Sequence, residues 1–463
     1  MSSSDNRSGW PRSRRPLSAL LFSTTLLVTG AAAAQEPSDA PADSRVRALE
    51  QRFEALEKDH RDLKHKLELA EQEAAARKRA AADKPSEKKV DVSGAPGKGL
   101  TVKVGDVFSL NVRSRIQIRY QLNISPEDDE GERELQQIVN IGTARLWFSG
   151  HVLTPRLTYM IQLAVAGRDF RDGATSPIFD AYVDWNAHRD FNVRAGQFFV
   201  PFDRLRTVRE FALQMGDRPR PVQELTLDRD VGIALYSERF LHDRSPVAVR
   251  LGVFGGGGTN LTAAREPGGL FMGRVELRPF GPIDDDSEGD LERRKTPGLA
   301  LGAGFAANLN TNRVRSTTGA TYTGGTTSYY HAAGDMVFKW RGLALQGEYL
   351  WKRASVTEIR STDEEGAPKI EPTRSAHGWV AQASYTFDPP FEIVGRLSRL
   401  YPLADTAPAF VAELERRGQE AGVGLNYYFN GHRFKLQADW IALMTKDFQS
   451  ADHVAHLQLD ATF

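Results

Sequence analysis

The feature that most constrains this chain is the stretch 107–122, V-F-S-L-N-V-R-S-R-I-Q-I-R-Y-Q-L, in which apolar and polar side chains alternate. Successive side chains of a β-strand point to opposite sides, so one face is apolar and the other carries Arg113, Arg115 and Arg119. In a soluble sandwich the apolar face would be core, whereas in a membrane barrel it contacts lipid and the arginines line the interior. The rest of the chain must decide between these two folds.

Composition excludes several classes of function. Lys and Arg (60) balance Asp and Glu (60), so the chain is not a globally basic nucleic-acid binder. A mean hydropathy of -0.43 and the lack of a long apolar run after the N-terminus argue against a helical membrane protein. The sequence contains no cysteine, no metal-type spacing of histidines, no phosphate-binding loop and no nucleophile elbow. We therefore expect neither an enzyme nor a metal, cofactor or nucleic-acid site.

The N-terminus is typical of an export signal. Four arginines precede an apolar run at 17–28, and Gly30 and a series of alanines follow it. Ala32 and Ala34 fit the small-residue cleavage rule, which predicts a signal peptide over 1–34 and a mature chain that begins at Gln35. A membrane anchor is the alternative, but the run is too short to span comfortably.

Residues 45–79 repeat apolar side chains every seven positions. One position of the repeat holds Val46, Phe53, His60, Leu67 and Ala74, and the other holds Leu49, Leu56, Leu63 and Ala70. This pattern predicts a coiled coil, and hence self-association, with a dimer and a trimer both open and His60 as a candidate for setting register. The following segment, 80–100, is rich in Lys, Pro and Gly and predicts a flexible linker.

Beyond the linker, about sixteen segments alternate apolar and polar residues, as a transmembrane barrel requires. They are 107–122, 139–152, 155–166, 177–186, 190–198, 229–239, 246–254, 270–279, 298–307, 328–340, 343–353, 377–387, 391–401, 420–429, 432–441 and 452–463. Tight turns alternate with long polar loops, 281–297 being an exception on the short-turn side, and the chain ends on an apolar-alternating strand at Phe463. The prediction is an all-β fold: a 16-stranded antiparallel transmembrane β-barrel over 101–463, preceded by the helical coiled coil.

Three motifs resemble the phosphate-selective porin O/P family. They are N-I-G-T-A-R-L-W-F-S-G at 140–150, D-A-Y-V-D at 180–184 and A-G-Q-F-F-V-P-F at 195–202, of which the Gly-Gln-Phe-x-x-Pro-Phe element is the most specific. G-V-G-L-N-Y-Y at 422–428 and the final strand are similar to the closing section of that family. The resemblance covers about residues 100 to 463 and implies a homotrimeric outer-membrane anion porin whose third long loop folds into the pore.

With the apolar faces turned to lipid, a series of arginines faces inward as a candidate anion ladder. The ladder consists of Arg113, Arg115, Arg119, Arg145, Arg194, Arg250 and Arg274, and the third long loop adds Arg204, Arg206, Arg209, Arg218 and Arg220 as a candidate constriction. The family's phosphate-selective members share a lysine cluster there, whereas this loop has no lysine. Arginines are expected either to substitute for it or, by pairing with Asp and Glu, to leave a mixed-charge eyelet.

The expected function is passive diffusion of small anions, with phosphate or polyphosphate as candidates, across a Gram-negative outer membrane. The partners expected are those anions, outer-membrane lipid and, through a periplasmic coiled coil, the cell wall. Two alternatives stay open. One is a general or sugar porin, and the other is an envelope-tethering protein whose barrel is mainly an anchor.

Overall fold

The structure, a computed structural model, describes residues 42–82, 90–126, 132–170, 176–260, 266–284, 286–362, 365–388 and 391–463. The predicted signal peptide, 1–34, lies outside these residues. The chain divides into two compact units, residues 1–87 and residues 88–463. Among the described residues, the first contains one helix, and the second contains all of the strands.

Helix α1 (Ala42–Ala82) covers the whole predicted heptad segment. Its Ala, Glu, Lys, Arg and Leu residues are strong helix formers, which accounts for its length. The predicted seam is exposed along the single helix, for example at Leu49 (65%) and Leu56 (68%), so the coiled coil remains a prediction. In the described part of the chain, no helix combines the length and the apolar character needed to cross a membrane.

A hairpin occupies part of the segment that was expected to be a flexible linker. Strand β1 (Val90–Ala95) pairs with β2 (Gly99–Val104), and β2 continues the pairing onto residues 108–112. The prediction of a linker over 80–100 is therefore wrong from Val90 onward. The Lys, Pro and Gly content suggested a linker, although valines alternate with polar residues in both strands. The positive φ angles of Gly97 (71°) and Gly99 (75°) allow the chain to reverse.

Sixteen strands close into one antiparallel barrel, as predicted. They are β3 (Phe108–Ile124), β4 (Leu135–Val152), β5 (Leu157–Ala164), β6 (Ile178–His188), β7 (Phe191–Phe199), β8 (Arg229–Ser237), β9 (Val247–Phe254), β10 (Gly269–Leu277), β11 (Gly298–Thr311), β12 (Thr327–Trp340), β13 (Leu343–Ala354), β16 (Ala376–Thr386), β17 (Phe391–Pro402), β18 (Gln419–Tyr428), β19 (Phe434–Met444) and β20 (Ala451–Thr462). The last strand pairs with the first, from His453 opposite Ile124 to Thr462 opposite Arg115. The C-terminal Phe463 exchanges both backbone hydrogen bonds with Ser114, which leaves no free edge at the seam.

The remaining elements lie in the connections between barrel strands. A small hairpin, β14 (Glu358–Thr362) and β15 (Pro368–Pro372), belongs to one long loop. Between β7 and β8 lie the short helices α2 (Arg204–Thr207) and α3 (Arg220–Leu225) and the 3-10 turn Glu210–Ala212, and helix α4 (Pro408–Arg417) follows β17.

The two faces of β3 have opposite environments. Ile116 and Ile118 are 43% and 53% exposed on the outer surface, whereas Arg115 and Arg119 are 2% and 5% exposed on the inner face. A charge facing lipid at mid-bilayer costs roughly 2–4 kcal/mol, so the apolar face of this strand has to be the outer one. Residues 107–122 therefore belong to a membrane barrel and not to a soluble sandwich.

Loop lengths alternate between the two rims. The rim with the short connections, here called the short-turn rim, includes the two-residue turn Arg341–Gly342, whose φ angles of 51° and 93° suit a tight hairpin. Residues 278–297 are the long exception on this rim, as the sequence indicated. The other rim carries the long loops, including the one with β14 and β15.

Candidate functional site: the passage along β3

The connection between β7 and β8, residues 200–228, folds into the barrel; we call it the inward loop. Val200, Phe202, Val222, Leu225 and Leu227 are completely buried. They form one apolar cluster with inner-wall residues of β12, β13 and β16. This cluster holds the root of the loop against one side of the wall, where it buries enough apolar surface to make the loop part of the barrel interior.

The tip of the inward loop is held on the far side of the lumen. The backbone N–H of Gly216 donates to Asp439 Oδ2 on β19 (2.6 Å), and Arg119 Nη2 on β3 donates to the Gly216 carbonyl (2.6 Å). Arg119 Nη1 also donates to Asp217 Oδ1 at 3.0 Å. Because Arg119 lies beside it, the pKa of Asp217 is lowered, although burial acts in the opposite direction. The loop therefore crosses the lumen and is attached at both ends.

The long exception on the short-turn rim also folds inward; we call residues 281–297 the inward turn. Glu288 and Asp290 are each only 2% exposed. Glu288 Oε2 accepts hydrogen bonds from the Gln214 backbone N–H (2.7 Å) and from Gln382 Nε2 (3.0 Å), while Lys339 Nζ donates to the Ser287 carbonyl (2.7 Å). The inward turn thus packs against the inward loop and fills the space beside β12, β13 and β16.

Two cavities lie beside β3. One cavity of about 290 Å³ lies toward the long-loop end and includes Asn123, Gln136, Arg417 and His453 in its lining. A second, of about 20 Å³, lies between the inward loop and the wall from β3 to β8. We call the second cavity the eyelet; it is the smaller of the two and holds little more than one water molecule.

Four arginines and one carboxylate line the eyelet, together with aromatic rings. Its lining residues are Arg115, Arg145, Trp147, Gln162, Phe179, Phe199, Arg209, Glu210, Phe211 and Arg229. Within this described lining Glu210 is the only acidic side chain. Burial favours a raised pKa for Glu210, but Arg145, Arg168 and Arg115 outweigh it and lower the pKa below its ordinary value. The positive charges around Glu210 therefore outweigh the effect of its burial.

Three of the four eyelet arginines form ion pairs with buried carboxylates. Arg115 Nε donates to Asp460 (2.9 Å), and Arg229 Nε donates to Asp180 (2.8 Å). Arg145 pairs with Asp169, which lies outside the lining. Arg209 differs, because its nearest described carboxylate is Asp180 at 3.9 Å. The charge of Arg209 is therefore the least compensated in the eyelet.

Arg113 lies on the inner face of β3, toward the short-turn rim. Its guanidinium lies 5.7 Å from the Trp147 ring centroid, and the positive charges of Arg209 and Arg433 act on it. Among the residues that the structure describes, no carboxylate lies within 4 Å of Arg113 or Arg433. Arginines 113, 209 and 433 thus form a weakly compensated positive group, which we call the exit group.

The other arginines of the predicted ladder and constriction are engaged in contacts within the barrel. Arg194 pairs with Asp184, Arg250 with Glu238, Arg274 with Asp335, Arg204 with Glu276 and Asp335, Arg206 with Asp228 and Arg220 with Glu413, while Arg218 donates to the Leu205 and Val208 carbonyls. The eyelet brings together Arg115, Arg145 and Arg209 from the predicted set. Whether these residues carry anions stays a prediction.

Several residues that line or support the eyelet were not predicted from the sequence. Asp460 lies two and four residues after Gln458 and His456 on the last strand, so strand alternation predicts that its side chain points inward. Its ion pair with Arg115 forms only because the last strand pairs with β3. Phe179 and Phe199 lie beside strand ends and gave no signal of their own. Their contact with Arg229, whose guanidinium is 3.6 Å from both ring centroids, depends on how three strands align.

A closed sixteen-stranded barrel, an apolar outer surface and a lumen narrowed by an inward loop define an outer-membrane porin, a channel rather than an enzyme. The family described as phosphate-selective porin O and P matches residues 110–462, and the chain belongs to that family. This confirms the resemblance seen in the sequence motifs. A comparison with curated proteins finds no match.

Solved structures with a similar fold are porins of several bacteria. The anion-selective porin from Comamonas acidovorans is 12% identical, with a TM-score of 0.46 and coverage of 76% of this chain and 100% of that one. The outer membrane channel DcaP of Acinetobacter baumannii is 13% identical, with a TM-score of 0.48 and coverage of 76% and 97%. Salmonella typhi OmpF is 12% identical, with a TM-score of 0.48 and coverage of 81% and 100%.

Proposed function

We propose that this porin is a passive diffusion channel that prefers small anions, with phosphate or polyphosphate as candidate solutes. The observation that carries the proposal is the charge of the passage along β3. Four arginines and Glu210 line its eyelet, and three of these arginines have carboxylate partners. Arg209, together with Arg113 and Arg433 toward the short-turn rim, is weakly compensated. An anion is attracted to these guanidinium groups, and a cation is repelled by them.

The spacing of arginines on β3 fits stepwise movement. Arg113 and Arg115 are one pleat repeat apart, about 7 Å, and Arg119 lies about 13 Å beyond Arg115. Charges are screened beyond about 8 Å at physiological salt, so Arg119 acts apart from Arg113 and Arg115, which lie close enough to act on one anion together. Several weak sites in series allow an anion to bind and leave, which conduction requires.

A second candidate is passage of neutral or sugar-like solutes. The observation that favours it is the set of rings at the eyelet, which includes Trp147, Phe179, Phe199 and Phe211. Two of these rings are covered by the Arg229 guanidinium. Because covered rings offer no free face for a sugar to stack on, the arginines weigh more than the aromatics.

The assembly is also part of the proposal. We infer a mature chain that begins at Gln35, a periplasmic coiled coil over 45–79 and a homotrimer of barrels. The exposed apolar seam of α1, which includes Val46, Phe53 and Leu63, supports helix association. Contact of the coiled coil with the cell wall would make the protein an envelope tether as well as a channel, and the two roles are compatible.

Liposome swelling tests the proposal directly. Proteoliposomes carrying the purified porin are diluted into isosmotic solutions of potassium chloride, potassium phosphate or a neutral pentose, with valinomycin present so that potassium flux is not limiting. We expect the salts to cause faster swelling than the pentose. Equal rates for salts and pentose would favour the general porin, and swelling with the pentose alone would contradict anion passage.

A further inference from the structure

We infer that Glu210 is a tethered anion: its carboxylate occupies the anion site of the eyelet, and a passing anion has to displace it. The inference rests on the proposed anion passage and names the residue that sets its affinity. The ligand class is a small oxyanion, a carboxylate or a phosphate, because only such a group replaces the Glu210 carboxylate among guanidinium donors.

The first support is the position of Glu210. It is the one acidic side chain in the described lining of the eyelet, which also contains four arginines. Its Oε2 lies 3.5 Å from Arg145 Nη2 and 3.3 Å from Thr143 Oγ1. The carboxylate therefore stands where an incoming anion would meet the cavity's guanidinium groups.

The second support is how loosely Glu210 is held. Charge-assisted hydrogen bonds are usually about 2.7–2.9 Å long, and both Glu210 contacts are longer than that. Its side chain is 31% exposed, whereas Asp460 and Asp180, which hold Arg115 and Arg229, are 0% and 2% exposed. The two buried carboxylates fix the arginines, and Glu210 is the member of the group that is able to leave.

The third support is the backbone beneath Glu210. It begins the 3-10 turn Glu210–Ala212, where the Ala212 N–H donates to the Arg209 carbonyl (2.8 Å) and the Leu213 N–H to the Glu210 carbonyl (3.4 Å). These bonds keep the main chain in place while the side chain rotates. Displacement therefore needs a change of side-chain rotamer and no movement of the inward loop.

The consequence is that the eyelet binds anions weakly, which allows them to pass. Without Glu210, Arg145 and Arg209 would present donors to a bare cavity and hold an oxyanion tightly, which would block flow. With Glu210 present, each anion exchanges with the tethered carboxylate, so the site stays weak. A channel conducts well only when its ions leave as readily as they arrive.

The test separates occupancy of the site from a simple effect of charge. Glu210→Gln removes the charge, whereas Glu210→Asp keeps the charge but shortens the side chain by one methylene, which takes the carboxylate out of reach of Arg145. Asp405→Asn is the control, because it removes one charge from an exposed ion pair with Arg353, outside the eyelet lining. Single channels in planar bilayers with potassium chloride are titrated with inorganic phosphate, and the half-blocking concentration is measured.

We expect half-block by phosphate at a concentration about tenfold lower than in wild type for both Glu210→Gln and Glu210→Asp, an effect of about 1.4 kcal/mol. Asp405→Asn should leave the half-blocking concentration near that of wild type. A Glu210→Asp channel that behaves like wild type, or no change in either variant, would overturn the inference.

Folding and the proposed function are checked separately. If Glu210→Gln gives no folded barrel, Glu210→Asp alone still decides, because it keeps the native charge. The reversal potential of the wild-type channel in a potassium chloride gradient reports the anion preference itself. A cation-preferring wild type would refute the proposed function, whereas an anion-preferring wild type with an unchanged Glu210→Asp variant would refute only the tethered anion.

Discussion

Arg204, at the root of the inward loop, donates through Nε to Asp335 on β12 at 2.9 Å, and both side chains are almost completely buried. Arg274 on β10 donates to the same carboxylate through Nη1 (2.6 Å) and Nη2 (2.9 Å). Asp335 thus joins the loop to the wall by compensating two arginines at once. Residues of the predicted ladder and constriction contribute here to holding the loop.

Asp335→Asn should destabilise the barrel. Removing the charge leaves two buried guanidinium groups short of a partner, and breaking such a pair on one side typically costs about 3–5 kcal/mol. Denaturant unfolding in detergent, followed by the shift of the folded barrel on gels, measures the loss. Asp405→Asn is the control, because its ion pair with Arg353 is exposed and should contribute less than about 1 kcal/mol. Equal stability of both variants would contradict the anchoring role.

The barrel itself was predictable from the sequence, and the reason is physical. A wall with lipid on one side and polar side chains on the other imposes a period of two on each strand, so residues such as Ile116 and Arg115 sort themselves without knowledge of the fold. The closing strand was readable in the same way, because Phe463 ends an apolar stripe.

The electrostatics of the lumen were not predictable in the same way. Arg115 and Arg119 were expected to line a ladder, but their partners Asp460 and Asp217 are distant in sequence and meet them only once the barrel closes and the loop folds in. The unusual length of the inward turn was visible in the sequence, because it lies on a rim of short turns. Its burial against Gln214 needs the inward loop, which periodicity does not reveal.

Glu224 on α3 gives a pH dependence. Burial alone would raise its pKa, but Lys352 and Arg374 outweigh burial and lower the pKa to about 2, from an ordinary 4.5. Because the folded-state pKa is depressed, the Glu224 carboxylate contributes to the free energy of unfolding. This contribution is fully present above about pH 4.5 and is lost as the pH falls toward 2. It amounts to about 3 kcal/mol.

Thermal unfolding of wild type and Glu224→Gln in detergent between pH 6 and pH 2 checks this. The variant should be less stable at pH 6, and the gap should narrow as the pH falls. A gap that stays constant over this range would show that the charge of Glu224 does not hold the loop.

Removing the inward turn should widen the lumen. Replacing 284–292 with a two-residue Asn-Gly turn takes away Glu288 and Asp290, which fill the space beside β13, so single-channel conductance should rise. The matched control is Arg341→Asn, which changes a tight turn on the same rim without reaching the lumen. Unchanged conductance in the shortened protein would mean that the turn does not restrict the pathway.

The coiled coil is tested through its seam. Leu56→Asn with Leu63→Asn places polar groups at two positions of the proposed seam and should lower the temperature at which the proposed trimers dissociate on gels. Glu57→Gln with Lys64→Gln changes neighbouring positions off the seam and should have little effect. Trimers of the seam variant that are as heat-resistant as those of wild type would argue that the barrels associate without the helix.

The central claim is anion preference along β3, and the reversal potential in a tenfold potassium chloride gradient measures it most directly. We predict a sign that reports chloride as the more permeant ion. One charge acting over about 6 Å in water attracts chloride and repels potassium by about 0.7 kcal/mol each, so Arg113→Gln should lower the chloride-to-potassium permeability ratio roughly tenfold. Arg353→Gln, far from the passage, should leave that ratio unchanged. A wild-type reversal potential of the opposite sign, with potassium the more permeant ion, would contradict the account.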